Sequence, residues 1–329
     1  MLTVAQLGVG YWGPNLLRNL NSNQKINVKA VVDISKERQE FVRNTYPDIY
    51  VSSEFEPIIN DPDIDAIIIA TPVASHYELT KKALRMGKHV LVEKPMATNS
   101  DQIAEIKQIA LGKKLVAMVG HTFLYNSAVR YIKRIIESGE IGEIRYIYSQ
   151  RLNLGRIRDD VDAFWNFAPH DISIIQYWLD EPEPIKINKI GMDYVQKGID
   201  DVAFINIIYP NKIMANIHVS WLDPHKIRKM TVVGTKKMVV YDDIAENKVM
   251  IYDKGIDYKA VLGENMDFDT PGIFPFIHRS GELFIPVIDW VEPLKTEIEH
   301  FLECIQNNKP CLTGTDHAEK VVRILEMAG

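Results

Sequence analysis

Short apolar runs alternate with amphipathic stretches through the first third of the chain. Thr3–Leu7, Val28–Val32, Ala66–Ala70, His89–Val92 and Leu115–Val119 read as strands. Between them Ser35–Tyr46, His76–Met86 and Ser100–Ala110 read as helices, the first capped by Ser35 and the second ended by Gly87. Strands that are apolar throughout are buried on both faces, which a parallel sheet covered by helices achieves. Right-handed crossovers then predict an α/β, doubly wound nucleotide-binding domain over residues 1–121.

The rhythm changes after Thr122. Asn126–Ser138 reads as an amphipathic helix, and long β-rich runs follow at Ile144–Leu154, Val202–Tyr209, Met214–Trp221, Met230–Val233 and Met238–Tyr241. Turns at Pro210–Lys212 and around Gly234 join them as hairpins. Residues 122–329 are therefore expected to form a second α/β domain, with a large, open, mostly antiparallel sheet. One face of such a sheet needs cover, which predicts a homodimer or homotetramer. Gly255–Pro286, rich in glycine, proline and aromatics, reads as a long loop, either a lid, a subunit contact or peripheral packing. Helices near Leu294–Asn307 and Asp316–Met327 close the chain.

Composition narrows the partners. With 38 basic and 44 acidic residues among 329, the charge is −6, which argues against a nucleic-acid surface. Cys304 and Cys311 are too few for a disulfide framework or zinc knuckle and read as reduced thiols. His121, His218, His225 and His278 have no metal spacing, so no metal is expected. The longest apolar stretch, Ala66–Ala70, is far too short for a membrane span. No basic residue precedes Arg18, so no signal peptide is read and a cytoplasmic location is expected.

Gly8, Gly10 and Gly13 form G-x-G-x-x-G between the first strand and a helical pattern. The first permits a tight turn, the second leaves room for a pyrophosphate, and the third lets the helix pack closely. The helix N-terminus offers free N–H groups to the phosphates, and Pro14 suits its first turn. Tyr11 and Trp12, inside the loop, join the candidate cofactor contacts. Asp33, 20 residues past Gly13, ends the second strand. Its carboxylate can accept from adenosine ribose hydroxyls and repels a 2′-phosphate, favouring NAD over NADP; a helix-capping role also suits the position.

Glu93-Lys94-Pro95 follows a strand, where ligands of open α/β sheets sit. Lys94 can hydrogen-bond a substrate oxygen and stabilise a developing alkoxide, or simply pair with Glu93 at the surface. In WNFAPHDIS, Pro169 suggests a helix start, which puts His170 in a first turn. There the dipole keeps imidazole neutral and able to take a proton; a structural histidine is the alternative. Arg151, Arg156 and Arg158 can pair with a substrate diphosphate, or with Asp159, Asp160 and Asp162. Tyr125 and Asn126 are candidate substrate contacts, with core packing the alternative for Tyr125.

These residues carry a resemblance. GVGYWG, IIIATPVASHYELTKKAL, GKHVLVEKP, IKRIIESGEIGEIRYI and the Pro169-His170-Asp171 cluster resemble, in order, the glucose–fructose oxidoreductase / inositol dehydrogenase (Gfo/Idh/MocA) family. The resemblance implies a Rossmann domain followed by an α/β domain. It also implies NAD(P)-dependent oxidation or reduction of a sugar, cyclitol or sugar-nucleotide hydroxyl. Lys94 and His170 match the family's catalytic lysine and histidine, and Thr71, Pro72, His76 and Glu93 its cofactor-side loops. GHTFLYNSAVR and SQRLNLGRIR look most like members acting on nucleotide-linked sugars. Where the family has an aspartate four residues before the histidine, this chain has Asn166. Asparagine can orient a hydroxyl or the imidazole, but it carries no charge and raises the histidine's basicity less. That substitution keeps open a non-catalytic, dinucleotide-binding regulator; a dehydrogenase of a cyclitol such as inositol is a further alternative.

Overall fold

A computed structural model of the chain describes residues 1–258 and 276–329. It divides into two compact units, the first made of Met1–Asn126, Ile172–Ile174 and Trp290–Gly329, the second of Ser127–Asp171 and Ile175–Asp289.

In the first unit β1 (Leu2–Leu7), β2 (Ile26–Val32), β3 (Tyr50–Ser52), β4 (Ala66–Ile69), β5 (His89–Glu93) and β6 (Ala117–Gly120) form one sheet. All pairs are parallel and the order is β3-β2-β1-β4-β5-β6. The helices are α1 (Gly13–Ser22), α2 (Lys36–Thr45), α3 (Glu56–Ile59), α4 (His76–Arg85) and α5 (Ser100–Lys113). Every residue of β4 and β6 is buried, as uniformly apolar strands between two helical layers must be. Ser35 caps α2 by accepting from Arg38 N–H, and Asn99 caps α5. The strand order reverses between β1 and β4, opening a crevice at the carboxyl ends of the strands.

The second unit holds β7 (Ile144–Leu154), β8 (Lys186–Met192), β9 (Val202–Ile208), β10 (Met214–Ser220), β11 (Leu222–Gly234), β12 (Met238–Asp242), β13 (Val249–Tyr258) and β14 (Phe276–Phe284). They form one sheet in the order β14-β13-β12-β11-β7-β10-β9-β8, antiparallel except between β7 and β10. Its helices are α6 (Ser127–Glu137) and α7 (Ala163–Trp178). Alternation along the strands sorts the two faces. Ile147, Ala203, Ile205, Ile207, Ala215 and Ile217 are fully buried, whereas Tyr146, Ile190, Phe204 and Met214 are exposed. Trp178 at the end of α7 donates its indole N–H to Val129 C=O of α6 at 3.0 Å and meets the Tyr241 ring of β12 edge-on.

The fold departs from the sequence reading in three places. The expected loop Gly255–Pro286 instead contributes to β13 and β14; its central part, residues 259–275, lies outside the described residues. The edge strands β3 and β8 have no counterpart in the reading, and β11 is much longer than Met230–Val233. The closing helices, α8 (Pro293–Asn307) and α9 (Thr315–Ala328), belong to the first unit rather than the second. There α9 packs on α5, and Glu292 before α8 pairs with Arg18 of α1 at 2.6 Å. Among the described residues no helix is long and apolar enough to cross a membrane.

Candidate active site

The glycine loop is built from the first strand outward. Gly8 has φ +88°, and a Cβ there would lie 2.6 Å from Ala70 O. A Cβ on Gly13 would lie 2.5 Å from Gly8 O, whereas one on Gly10 would meet nothing within 4 Å. Gly8 and Gly13 therefore serve packing, and Gly10 leaves open space of the kind a pyrophosphate needs. α1 opens beside it with no acidic residue in its first turn and no side chain capping its N–H groups. Gln6 is a residue the sequence reading missed. It is fully buried in β1, and its amide donates to Gly8 O at 2.9 Å and Gly13 O at 2.8 Å, clamping both ends of the loop. A lone glutamine in an otherwise apolar strand was the available signal.

Asp33 stands at the end of β2. Its Oδ2 accepts from Val9 N–H at 2.8 Å and its Oδ1 from Ser35 N–H at 2.9 Å. The carboxylate is thus fixed against the glycine loop, and Ser35 rather than Asp33 is the cap of α2. Each oxygen keeps a second lone pair for a ribose hydroxyl. Tyr11 is nearly fully exposed and Trp12 half-exposed above the loop.

Glu93 ends β5 and directly precedes Lys94. Burial pushes the Glu93 carboxyl up to about 7, against the pull of Lys94 beside it. Lys94 N–H donates to Glu93 Oε2 at 3.3 Å, and the Lys94 side chain is half-buried at the carboxyl end of β5. His76, buried at the start of α4, links two loops: Nδ1 lies 2.8 Å from Pro95 O and Nε2 2.8 Å from Thr71 O. Carbonyls only accept, so both bonds form together only on the imidazolium; burial and then Lys94 pull its pKa down. Thr71 is also bonded to Ser75 through their hydroxyls at 2.7 Å, and Pro72 is exposed.

Beneath this edge lies a buried polar cluster that the sequence reading missed. Glu297 of α8 has no exposed surface, and its Oε2 accepts from Thr122 Oγ1 at 2.8 Å. Burial, and then Glu93, hold its carboxyl well above the usual range. Burial also keeps His121 neutral; its ring meets His317 of α9 edge-on at 5.0 Å. No local pattern announces a partnership spanning 175 residues.

Tyr125 is a core residue, a correction to its candidacy for substrate. It is 1% exposed, with its hydroxyl 2.9 Å from Thr313 Oγ1. Asn126 is buried as well.

In the second unit α7 starts earlier than expected. Asp162 caps it, accepting from Trp165 N–H at 2.7 Å, and Pro169 lies inside the helix. His170 is therefore in the third turn, not the first, and the dipole argument for its neutrality fails. Pro169 resembles a helix start because it lacks an N–H, but here it simply leaves the Trp165 carbonyl without its i+4 donor. Asn166 and His170 are one turn apart on one side of α7, both half-buried.

The three arginines separate. Arg151 is turned to the covered face of β7 and bonds Asp171 through Nε at 2.9 Å and Nη2 at 3.2 Å. Strand alternation puts it on the side of Ile147 and Ser149, so its diphosphate role is withdrawn. Arg158 pairs with Asp160 at 2.5 Å, and Arg156 is exposed. A cavity of about 390 Å³ lined by Met1, Ile64, Lys88 and His89 lies at the amino ends of β1, β4 and β5, opposite the glycine loop. Among the described residues no group of His, Cys, Asp and Glu could hold a metal.

Comparison with known proteins agrees with this geometry. Residues 2–121 match the model of the Gfo/Idh/MocA oxidoreductase family with its NAD-binding Rossmann fold, and residues 129–240 match the family's C-terminal domain. The chain belongs to the Gfo/Idh/MocA family of oxidoreductases, and its first unit carries the NAD-binding fold. It is 25% identical to the oxidoreductase YrbE of Bacillus subtilis, over 94% of this chain and 88% of that one. The NADP-dependent scyllo-inositol 2-dehydrogenase IolW of the same organism is 32% identical over 49% of this chain and 45% of its own. Among solved structures, UDP-N-acetylglucosamine 3-dehydrogenase GnnA of Acidithiobacillus ferrooxidans superposes with a TM-score of 0.80. That pair is 20% identical, over 99% of this chain and 96% of that one.

Proposed function

We propose that the protein transfers a hydride between NAD and a secondary hydroxyl or ketone of a sugar or sugar nucleotide. The observation that carries this reading is the crevice at the carboxyl ends of the first sheet, where the open space at Gly10, the fixed carboxylate of Asp33 and the half-buried Lys94 all stand at strand ends. When bound, the nicotinamide accepts or returns the hydride. Gly10 leaves room for the pyrophosphate, Gly8 and Gly13 hold the loop in shape around it, and Asp33 takes the adenosine ribose and disfavours a 2′-phosphate. Tyr11, Trp12, Thr71, Pro72, His76 and Glu93 line the cofactor side.

The acid–base work falls to residues of this chain. His170 takes the proton of the substrate hydroxyl, Asn166 orients that hydroxyl or the imidazole, and the Lys94 ammonium stabilises negative charge growing on the oxygen. Positioned groups of this kind each contribute about 10²–10⁴-fold. Arg156 and Arg158 remain for a substrate diphosphate. The second unit is the substrate-binding and oligomerisation part, its exposed sheet face covered by a second copy in a cytoplasmic homodimer or homotetramer.

The similarity to GnnA favours a nucleotide sugar. The similarity to IolW favours a second reading, a cyclitol such as inositol. NADH formation across a panel of nucleotide sugars, free sugars and inositols decides between them. A selective response to nucleotide sugars is expected. Turnover of inositols alone replaces the first reading with the second, and tight NAD binding without any turnover turns the protein into a dinucleotide-binding regulator.

A further inference from the structure

Two cysteines seven residues apart in the chain, Cys304 and Cys311, flank the end of α8. His300 and Cys304 stand one turn apart on α8, with Cys304 Sγ 3.4 Å from His300 Nε2. Leu312 N–H donates to the same Nε2 at 2.9 Å, pinning the chain beyond α8 back onto its last turns. That nitrogen is thus an acceptor. The pin holds Cys311, the residue before Leu312, at the same imidazole nitrogen that Cys304 Sγ faces. Cys304 is buried, whereas Cys311 is partly open.

We propose that Cys304 and Cys311 are a redox modification site, a dithiol that a peroxide closes to an intrachain disulfide. Their roles differ. The neighbouring Cys311 brings the Cys304 thiol down to about 5, while the Cys311 thiol is pushed up. Cys304 therefore supplies the thiolate, and Cys311 the resolving thiol and the opening toward solvent.

The Cys304 thiolate attacks one peroxide oxygen, the O–O bond breaks, and the departing hydroxide takes a proton and leaves as water. Cys304 is now a sulfenic acid. Cys311 sulfur, losing its proton, attacks Cys304 sulfur and expels hydroxide, which leaves with that proton as a second water. Two thiols and one hydrogen peroxide become one disulfide and two waters, the sulfurs losing two electrons and the peroxide gaining them.

The bond would lock a strap that already grips β6. Thr313 O accepts from Val119 N–H at 2.8 Å, and Gly314 bridges to Met118. The site stands apart from the proposed hydride transfer, and its test needs no substrate. The full-length protein is treated with hydrogen peroxide, its free thiols are counted under denaturing conditions, and its mass is measured before and after dithiothreitol. The expected result is a fall from two thiols to none, a loss of two hydrogens in a monomeric chain, and full recovery on reduction. Cys311→Ser is expected to stop at a sulfenic acid on Cys304 that dimedone traps, and Cys304→Ser to leave Cys311 a free thiol. Two thiols surviving peroxide, a bond between two chains, or irreversible oxygen addition without a disulfide would overturn the proposal.

Discussion

The two sheets solve opposite problems. β4 and β6 of the first unit are buried along their whole length, and their side chains do nothing but fill the space between helical layers. Chemistry is left to the strand ends, where Gly8, Asp33 and Lys94 stand. β8, β9 and β10 alternate between covered and open positions, so a one-residue change of side decides whether a group such as Arg151 meets Asp171 or solvent. In the first unit position along a strand assigns the role; in the second, the face assigns it.

The largest effect expected is at Arg151. Replacing it with Ala strands the buried Asp171 carboxylate and costs about 3–5 kcal/mol. Arg158→Ala, which removes a partly exposed pair, costs under about 1 kcal/mol. Urea unfolding of the two variants checks this; equal losses would mean that the face rule fails. Next, His170→Ala is expected to slow hydride transfer about 10²–10⁴-fold while leaving the melting temperature nearly unchanged. A variant that melts early and turns over normally per folded molecule would make His170 structural.

Asn166→Asp sharpens the same helix. A carboxylate one turn before His170 favours the imidazolium, so the base is freed only at higher pH. The acidic limb of the rate profile is expected to move up by about one pH unit. An unmoved limb would separate Asn166 from His170.

The smallest effect belongs to Glu297. Burial and Glu93 raise its folded-state pKa above that of the unfolded chain. Between those two values only the folded chain holds the proton, so wild-type stability falls as pH rises through the interval, by at most about 1.4 kcal/mol per pH unit for one proton. Glu297→Gln removes that slope. Its melting temperature should gain on the wild type as pH rises from about 4; parallel curves would place an ionised carboxylate at Glu297 throughout.

What the sequence made legible follows the same division. G-x-G-x-x-G, Asp33 and the strand before Lys94 are local patterns whose spacing is dictated by one turn and two strands, and they were readable. Gln6 and Glu297 act through partners fixed only by folding. Pro169 was misread because a missing N–H suits a helix start, yet the cap is Asp162, seven residues earlier. β13 and β14 escaped notice because VMIYDKGIDY and FIHRSGELF carry glycine and charge, as outer strands of a sheet tolerate.

The account rests on a separation between gripping the dinucleotide and performing the chemistry, with Lys94 assigned to the second. Calorimetric titration of NAD into wild type and Lys94→Ala, run beside NADH formation on the best substrate of the panel, measures both at once. Unchanged NAD affinity with turnover lowered about 10²–10⁴-fold is the predicted outcome. Wild-type turnover in the variant, or loss of NAD binding equal to the loss of activity, would contradict it.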